Sequence, residues 1–304
     1  MVNTMAESDE PWTEKPPRLD VGVVGTGRAG SVLAAALNRA GHKVKACTAV
    51  SDLSRLRAES LLPGVPILPI NEVVADRDLI LLAVPDDVLT EVVAGLAATN
   101  AVSPGTFVMH VSGRFGIEVL QPLTAQGCLP LALHPVMTFT GTSIDLTRLS
   151  GCPFGVTTHE TLRAVAETLV VEMGGEPVWV PEANRGLYHA ALSFGANNLM
   201  TLINQTVDLL SAAGIENPDL LIAPLLGASL DNALRNGDTA LTGPIARGDA
   251  GTVREHLRAL EAAGPAVIET YRALARLTAD RALSAGLLRP ENAQNLLDVL
   301  ADRK

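Results

Sequence analysis

The sequence predicts an α/β protein, in which a doubly wound, mostly parallel sheet is followed by an all-helical C-terminal domain. Three observations predict this fold. A short apolar run over residues 19–24 leads into glycines spaced G-x-G-x-x-G and then into a helical pattern. Apolar runs typical of buried parallel strands alternate with helical stretches up to residue 181. Beyond that residue the pattern is helical throughout, with breaks at glycines and prolines.

The domain boundaries follow from the same pattern. Residues 1–17 are polar, acidic and rich in proline, which predicts a disordered lead. We expect the sheet domain over residues 18–181 and the helical domain over residues 182–304.

Composition excludes several classes of partner. The 304 residues carry a net charge of −10, so no sequence-wide basic surface favours nucleic acid or anionic lipid. No window of the sequence is long and apolar enough to span a membrane. The three cysteines have no paired spacing, which fits a reducing compartment. We therefore expect a cytoplasmic protein that binds neither nucleic acid nor membrane, and we expect no metal site.

The first strand, turn and helix predict a dinucleotide-binding motif of the Rossmann type, and the alternative is a Rossmann fold that has lost the ability to bind a nucleotide. In this motif the first glycine permits a tight turn, and the second lets a pyrophosphate approach the backbone. The third glycine lets the helix pack on the strand. A phosphate then lies on N–H groups at the positive end of the helix dipole. The predicted cofactor-binding residues of the turn are Gly25, Thr26, Gly27, Arg28, Ala29 and Gly30.

The tip of the second strand, predicted over residues 44–50, bears on the choice between NADP and NAD. NAD sites usually place a carboxylate there to hold the ribose. Here Ser51 stands at the tip, and Asp52, Arg55 and Arg57 follow. Ser51 and an arginine suit a 2′-phosphate, so NADP(H) is preferred. The alternative is that Asp52 holds the ribose of NAD(H) and the arginines lie on a solvated helix face.

Further apolar runs end in small or polar residues. Ligands bind beyond the carboxyl ends of the strands in open α/β sheets, so we expect these ends to line one rim. We predict three cofactor contacts there, at Val84, Pro85 and Ser112.

The last of these runs ends at His134, which is followed by Pro135. We expect His134 at the nicotinamide end of the crevice, with Met137 and Phe139 as an apolar wall. The alternative, that His134 bonds a neighbouring carbonyl and only fixes the loop, has equal weight.

A long helix, predicted over residues 182–213, has no charged residue between Gly186 and Val207, which predicts a buried central helix. Every fourth residue is polar, which places His189, Ser193 and Asn197 on one wall. A polar but uncharged wall is typical of a cleft whose groups face a ligand. Hydrogen bonding between helices is the alternative.

Residues 46–303 contain no lysine, so any cationic anchor or acid in that stretch must be arginine or histidine. Arg247 lies in a Gly/Pro-rich loop just before Asp249, a natural helix N-cap. An arginine in such a loop suits bidentate binding of a carboxylate, and a surface salt bridge is an equal alternative. His159 and His256 are expected to be solvated.

These motifs together resemble the Rossmann-like proteins that carry a C-terminal domain of unknown function 2520. The matching strings are VGVVGTGRAG, LAVPDD, HVSG, LHPVMTF, YHAALSFGANN and LTGPIARGD, in this order over residues 20–250. The resemblance implies an NADP-binding domain, a helical domain similar to that of 6-phosphogluconate dehydrogenase, a site between the two and a homodimer through the helices. Families related in architecture include ketopantoate reductases, pyrroline-5-carboxylate reductases and coenzyme F420-dependent NADP reductases.

We therefore expect an NADP(H)-dependent oxidoreductase that reduces a small carboxylate-bearing 2-oxo acid or imine, such as a ketopantoate reductase-like enzyme of pantothenate synthesis. His189 is the expected proton donor, with His134 in reserve. Ser193 and Asn197 are expected to orient the substrate oxygen, and Arg247 to hold its carboxylate. The alternative is a sensor or scaffold protein that binds NADP(H) without turning it over.

Overall fold

The computed structural model describes residues 18–301, so the predicted disordered lead lies outside the described residues. The strands are β1 (Asp20–Val24), β2 (Lys43–Cys47), β3 (Leu79–Leu82), β4 (Phe107–His110), β5 (Leu129–Pro135), β6 (Pro153–Thr158) and β7 (Glu176–Trp179). They form one sheet in the order β2-β1-β3-β4-β5-β6-β7.

The α-helices of the first half are α1 (Arg28–Arg39), α2 (Asp52–Leu61), α3 (Ile70–Val74), α4 (Asp86–Ala98), α5 (Gln121–Thr124), α6 (Ile144–Arg148) and α7 (Arg163–Glu172). Those of the second half are α8 (Arg185–Ala212), α9 (Pro218–Asn236), α10 (Gly243–Arg247), α11 (Ala250–Ala259), α12 (Pro265–Ser284) and α13 (Pro290–Leu300). Short 3-10 helices cover Ile117–Leu120, Glu160–Leu162, Glu182–Asn184, Gly237–Ala240 and Leu260–Ala263. Between residues 18 and 301, no helix combines the length and hydropathy that crossing a membrane requires.

The strand directions create the predicted rim. β1, β3, β4 and β5 run parallel, and the register aligns the last residues of β1, β3 and β4 (Val24, Leu82 and His110) with Ala132 of β5, which continues for three more residues. β6 runs antiparallel to β5, and β7 runs parallel to β6. The predicted α/β class, with a mostly parallel sheet followed by helices, is confirmed. We call the edge formed by the carboxyl ends of β1, β3, β4 and β5 the rim.

Helices cover both faces of the sheet, which explains why the strands are apolar throughout. On one face Leu33 and Leu37 of α1 and Val170 of α7 pack into a core with the strands. On the other face Leu89 and Val93 of α4 form a second core. The sheet is therefore wound on both sides.

The chain divides into two compact units, one ending at Ser193 and the other beginning at Phe194, so the division falls within α8. The second unit has its own core, which α10 to α13 build around Val253, Ala282 and Leu296. The functional division between residues 18–181 and 182–304 that the sequence predicts stays a prediction.

The sequence predicts that α8 is buried, and for this single chain that prediction is wrong. Arg185 is the only residue of α8 that is buried. Helix α9 is similar, because Pro218 is its only buried residue while Leu220 and Leu225 are 70% and 63% exposed. An uncharged helix is expected to pack against another surface, but its composition does not show whether that surface belongs to the same chain.

Candidate functional site

The glycine turn between β1 and α1 has the geometry that the sequence motif predicts. Gly25 has a φ of 101°, a left-handed conformation that favours glycine. A Cβ on Gly30 would collide with the carbonyl oxygen of Gly25, so the third glycine lets the helix approach the turn. A Cβ on Gly27 would meet nothing within 4 Å. The N–H groups of Arg28, Ala29 and Gly30 open α1, where an α-helix offers no internal acceptors.

Two of the predicted cofactor residues are engaged in the fold itself. The backbone N–H and the hydroxyl of Thr26 both donate to Thr48 O, at 3.1 and 2.9 Å. Ser51 is the N-cap of α2, and its Oγ accepts the N–H of Ser54 at 3.2 Å. These contacts fix the tip of β2 against the glycine turn.

A loop after β5 reaches the same turn. The Arg57 Nε lies 2.7 Å, and the Arg28 Cα 3.2 Å, from the position that a Cβ on Gly141 would take. The buried carboxylate of Asp145 holds this loop by accepting the N–H of Thr140 at 2.7 Å and that of Gly141 at 2.8 Å. The structure thus gathers Arg28, Arg57 and the loop beside the start of α1.

The predicted contacts at the ends of β3 and β4 lie on the rim. The Val84 Cγ1 is 3.4 Å from the Cβ position of Gly25, and the exposed Pro85 is the N-cap of α4. Ser112 is buried, and its Oγ accepts the N–H groups of Arg114 and Phe115, each at 3.2 Å. Val84 therefore neighbours the turn, whereas the Ser112 hydroxyl shapes the loop after β4.

His110 is fully buried at the end of β4 and is neutral. Its Nδ1 accepts the N–H of Ser112 at 3.2 Å, so the proton resides on Nε2, which donates to Gly116 O at 2.8 Å. Burial, helped by the charge of Arg185, lowers the pKa of His110 from 6.5 to about 4. His110 therefore holds the loop after β4 in place.

His134, Tyr188 and His189 meet at the rim, and we call them the His134 cluster. The His134 Nδ1 lies 2.9 Å from the Tyr188 hydroxyl, and the ring centroids of His134 and His189 are 6.3 Å apart. A Cβ on Gly113 would lie 2.9 Å from both the His134 Nε2 and the His189 Cδ2. Burial lowers the pKa of His134 to about 4, helped by the charges of Arg185 and His189.

Arg185 anchors the start of α8 to the sheet from below this cluster. It is 2% exposed, and its guanidinium donates to Ala132 O and Gly155 O, each at 2.9 Å, and to Thr157 Oγ1 at 2.8 Å. Its Nη1 also donates to Ser112 O at 3.4 Å. These acceptors belong to β5, β6 and the loop after β4, so Arg185 links the strands that carry the cluster.

The other predicted site residues lie further along the chain. Ser193 is half-buried on α8 at the end of the first unit, and Asn197 lies one turn later in the second unit. Arg247 is exposed at the end of α10. Asp249 caps α11 by accepting the Thr252 N–H at 3.0 Å, which confirms the predicted N-cap.

Met137 and Phe139 are not an open apolar wall. Both pack against the core on the α1 face of the sheet, and they are partly buried there. An apolar residue after a strand finds burial most readily in the core beside it, and these two follow that rule.

Sequence reasoning missed Arg185 and Tyr188 as members of the site. The signals were present: Arg185 is the only charged residue at the start of an otherwise uncharged stretch, and Tyr188 precedes His189. Gly155 is a third signal, because a glycine inside a strand often marks the close approach of another group. A Cβ on Gly155 would collide with the Tyr188 hydroxyl.

Each unit also contains a cavity of its own. One of about 930 Å³ in the first unit is lined by Thr157, His159, Trp179 and neighbours, near the carboxyl ends of β6 and β7. Because β6 runs antiparallel to β5, that edge is opposite the rim. The other, of about 470 Å³, lies in the second unit beside His256, whose Nδ1 is 2.9 Å from the Tyr271 hydroxyl. Neither cavity is lined by the glycine turn or the His134 cluster.

Comparisons with known proteins agree with this architecture. The sequence profile of a Rossmann-like domain matches residues 5–135, and that of a domain of unknown function, DUF2520, matches residues 152–278. No curated protein matches the sequence.

Solved structures share the fold at low sequence identity. A Bacteroides fragilis protein classed as an NADP oxidoreductase is 19% identical, with a TM-score of 0.73, and the match covers 86% of this chain and 98% of that one. For the pyrroline carboxylate reductase of Plasmodium falciparum with NADP bound, identity is 14%, TM-score 0.56, and coverage 91% and 98%. An imine reductase variant of Myxococcus stipitatus in complex with NAD+ is 16% identical, with a TM-score of 0.63, and the match covers 94% of this chain and 100% of that one.

The first profile lies within the first unit, and the second begins before β6 and extends into the helices of the second unit. The chain therefore combines a Rossmann-like domain with a C-terminal domain of unknown function 2520.

Proposed function

We propose that the protein is an NADP(H)-dependent reductase that acts on a small carboxylate-bearing 2-oxo acid or imine. One observation carries this proposal: the same rim holds an open glycine turn at a helix N-terminus and a cluster of two histidines around Gly113. Strands in a sheet are about 4.8 Å apart, so the ends of β1 and β4 are separated by roughly 10 Å. The names of the similar structures, which are reductases and oxidoreductases, support the same reaction class.

The residues present fit a dinucleotide. The open side of Gly27 and the N–H groups that begin α1 suit a pyrophosphate. Arg57 and Arg28 near the tip of β2 suit a 2′-phosphate, which favours NADP(H) over NAD(H). When bound, a reduced nicotinamide supplies a hydride to the carbonyl or imine carbon of the substrate.

His189 is our candidate for the proton donor, which delivers a proton to the substrate oxygen or nitrogen. His189 is half-buried beside the rim, and its ring lies next to Gly113 and His134. His134 is a poor acid by comparison, because burial lowers its pKa to about 4 and leaves it neutral at pH 7. We assign His134 to binding and His189 to proton transfer.

The remaining predicted residues have roles in binding the substrate. Ser193 and Asn197 follow His189 at four-residue intervals on α8, so their side chains lie near one wall of that helix. Arg247 is an exposed cation able to bind a carboxylate through two hydrogen bonds. We propose that these three groups orient the substrate.

We also propose that two copies associate through α8 and α9. A helix of 19 residues whose only buried residue is Pro218, at its first position, lacks the packing that stabilises helices in proteins. Its leucines include Leu220, Leu225 and Leu234, which are 63–79% exposed in the single chain. Burying one leucine stabilises an interface by about 2 kcal/mol, so several exposed leucines favour a second copy of the chain as the packing partner.

The three cysteines are buried and unpaired, which supports a cytoplasmic location.

The test is NADPH oxidation with a panel of 2-oxo acids, including ketopantoate, and carboxylate-bearing cyclic imines. We expect turnover of at least one compound, and we expect His189→Ala to lower kcat by about 100-fold or more, since a general acid contributes that much. His159→Ala removes an exposed histidine and serves as the matched control. A His189→Ala rate within a few-fold of the parent contradicts the role of His189. NADPH binding without turnover of any compound favours the sensor instead.

A further inference from the structure

Two glycines make room for the His134 cluster. A Cβ on Gly155 would collide with the Tyr188 hydroxyl, and His134 is the cross-strand partner of Gly155. A Cβ on Gly113 would crowd the His134 Nε2 and Cε1, at 2.9 and 3.0 Å. The Nδ1 edge of the His134 ring thus faces Tyr188, while its Nε2 edge faces Gly113.

The hydrogen bond between Tyr188 and His134 has a preferred direction. Among the described residues, His134 is the only hydrogen-bond partner of the Tyr188 hydroxyl. If the His134 Nδ1 donated the proton, the phenol proton would have no acceptor in this part of the protein. When the phenol donates to the Nδ1, the phenol proton has an acceptor, and the neutral ring then carries its proton on Nε2.

The surroundings keep that ring neutral. Arg185 lies beneath the cluster with its Cζ 5.7 Å from the Tyr188 ring centroid, and its buried charge disfavours a second positive charge. His189, from α8, and His110, at the end of β4, are the other titratable groups that interact with His134 besides Tyr188. None of these groups is a carboxylate that would stabilise an imidazolium.

We propose that Tyr188 is a positioning residue that fixes His134 as a neutral imidazole with its Nε2–H directed to the substrate side of the rim. This inference rests on the proposed reductase function. In it, the His134 Nε2–H donates a hydrogen bond to the substrate oxygen or nitrogen as negative charge develops there, and His134 keeps its proton throughout. The proton that the product gains comes from His189.

The test is the ¹⁵N spectrum of the full-length protein labelled at its six histidines. His134→Gln identifies the His134 signals. At pH 7 we expect an unprotonated Nδ1 and a protonated Nε2 in the parent. Tyr188→Phe removes the donor to Nδ1, so both tautomers become populated and the two ¹⁵N shifts move towards each other. A protonated His134 Nδ1 in the parent overturns the proposal.

The chain offers a matched control. Its second tyrosine, Tyr271, also lies 2.9 Å from a histidine Nδ1, that of His256. Tyr271→Phe should therefore leave the His134 signals unchanged. If Tyr188→Phe also leaves them unchanged, the positioning role is wrong.

Turnover separates this inference from the proposed function. We expect Tyr188→Phe to lower kcat about tenfold, the value of one hydrogen bond, while Tyr271→Phe keeps the parent rate. A Tyr188→Phe rate within twofold of the parent contradicts a role in catalysis. Failure of the parent to reduce any compound contradicts the proposed function, whereas the tautomer measurement still decides the placement of His134.

Discussion

At the scale of single residues, two neutral histidines make this protein sensitive to acid. Burial lowers the pKa values of His110 and His134 from 6.5 to about 4. Between these values the unfolded chain binds more protons than the folded chain, so the free energy of unfolding falls as the pH falls from about 6.5 to about 4. The stabilisation is therefore fully present above pH 6.5.

His134 provides a direct check of this linkage. From pH 7 to pH 5 one such histidine costs the folded state about 2 kcal/mol. We expect His134→Gln to lose less stability than the parent over this interval, by about that amount, in urea titrations followed by circular dichroism. His159→Gln, at an exposed position, should fall in parallel with the parent. A parallel fall of His134→Gln would show that folding does not lower the pKa of His134.

Residue roles were predictable where a motif defines the backbone. Gly25 and Gly30 behave as their spacing requires, because the turn and the helix packing are local. Tyr188 and Arg185 were not predictable, because their partners lie on β5 and β6, more than 25 residues away in the chain. A single sequence gives no information on such contacts.

At the scale of elements, α8 shows what composition can and cannot predict. The helix and its breaks follow from periodicity, glycines and prolines, and the structure has it over Arg185–Ala212. The burial of α8 within the single chain does not follow, because an apolar face indicates packing against another surface but does not identify that surface. The same reasoning applies to α9.

Substitution of charged residues into α9 tests whether this helix lies in an apolar interface. Leu221 and Leu225 are one turn apart and 57% and 63% exposed, so glutamates there should be tolerated by a single chain but not by an apolar interface. We expect light scattering to give about twice the 31.8 kDa chain mass for the parent and a single chain for Leu221→Glu with Leu225→Glu.

The same pair of changes on α2 is the control, at Leu53 and Leu56, which are 62% and 59% exposed. This variant should keep the mass of the parent. A parent that is monomeric, or an α9 variant that keeps the doubled mass, contradicts association through α9.

At the scale of the whole molecule, the sheet order and strand directions bring distant segments to one edge. The alternation of apolar runs with helical stretches was enough to predict this edge, since parallel strands place their carboxyl ends together. The antiparallel β6 and the cavity near its carboxyl end have no such signature. The first unit thus holds both the nucleotide turn and the His134 cluster.

Titration of the protein with NADPH, followed by fluorescence, tests most directly whether a pyridine nucleotide binds at the glycine turn. Gly27 has a φ of −68°, which alanine also adopts, and a Cβ there would enter only open space. Gly95→Ala on α4 is the matched control, because a Cβ at Gly95 also meets nothing within 4 Å. We expect the parent and Gly95→Ala to bind NADPH with equal affinity. Gly27→Ala should keep its fold but bind NADPH at least about tenfold more weakly, because its methyl group occupies the place of the pyrophosphate. Equal affinity of Gly27→Ala and the parent, or no binding by the parent, would contradict nucleotide binding at the glycine turn.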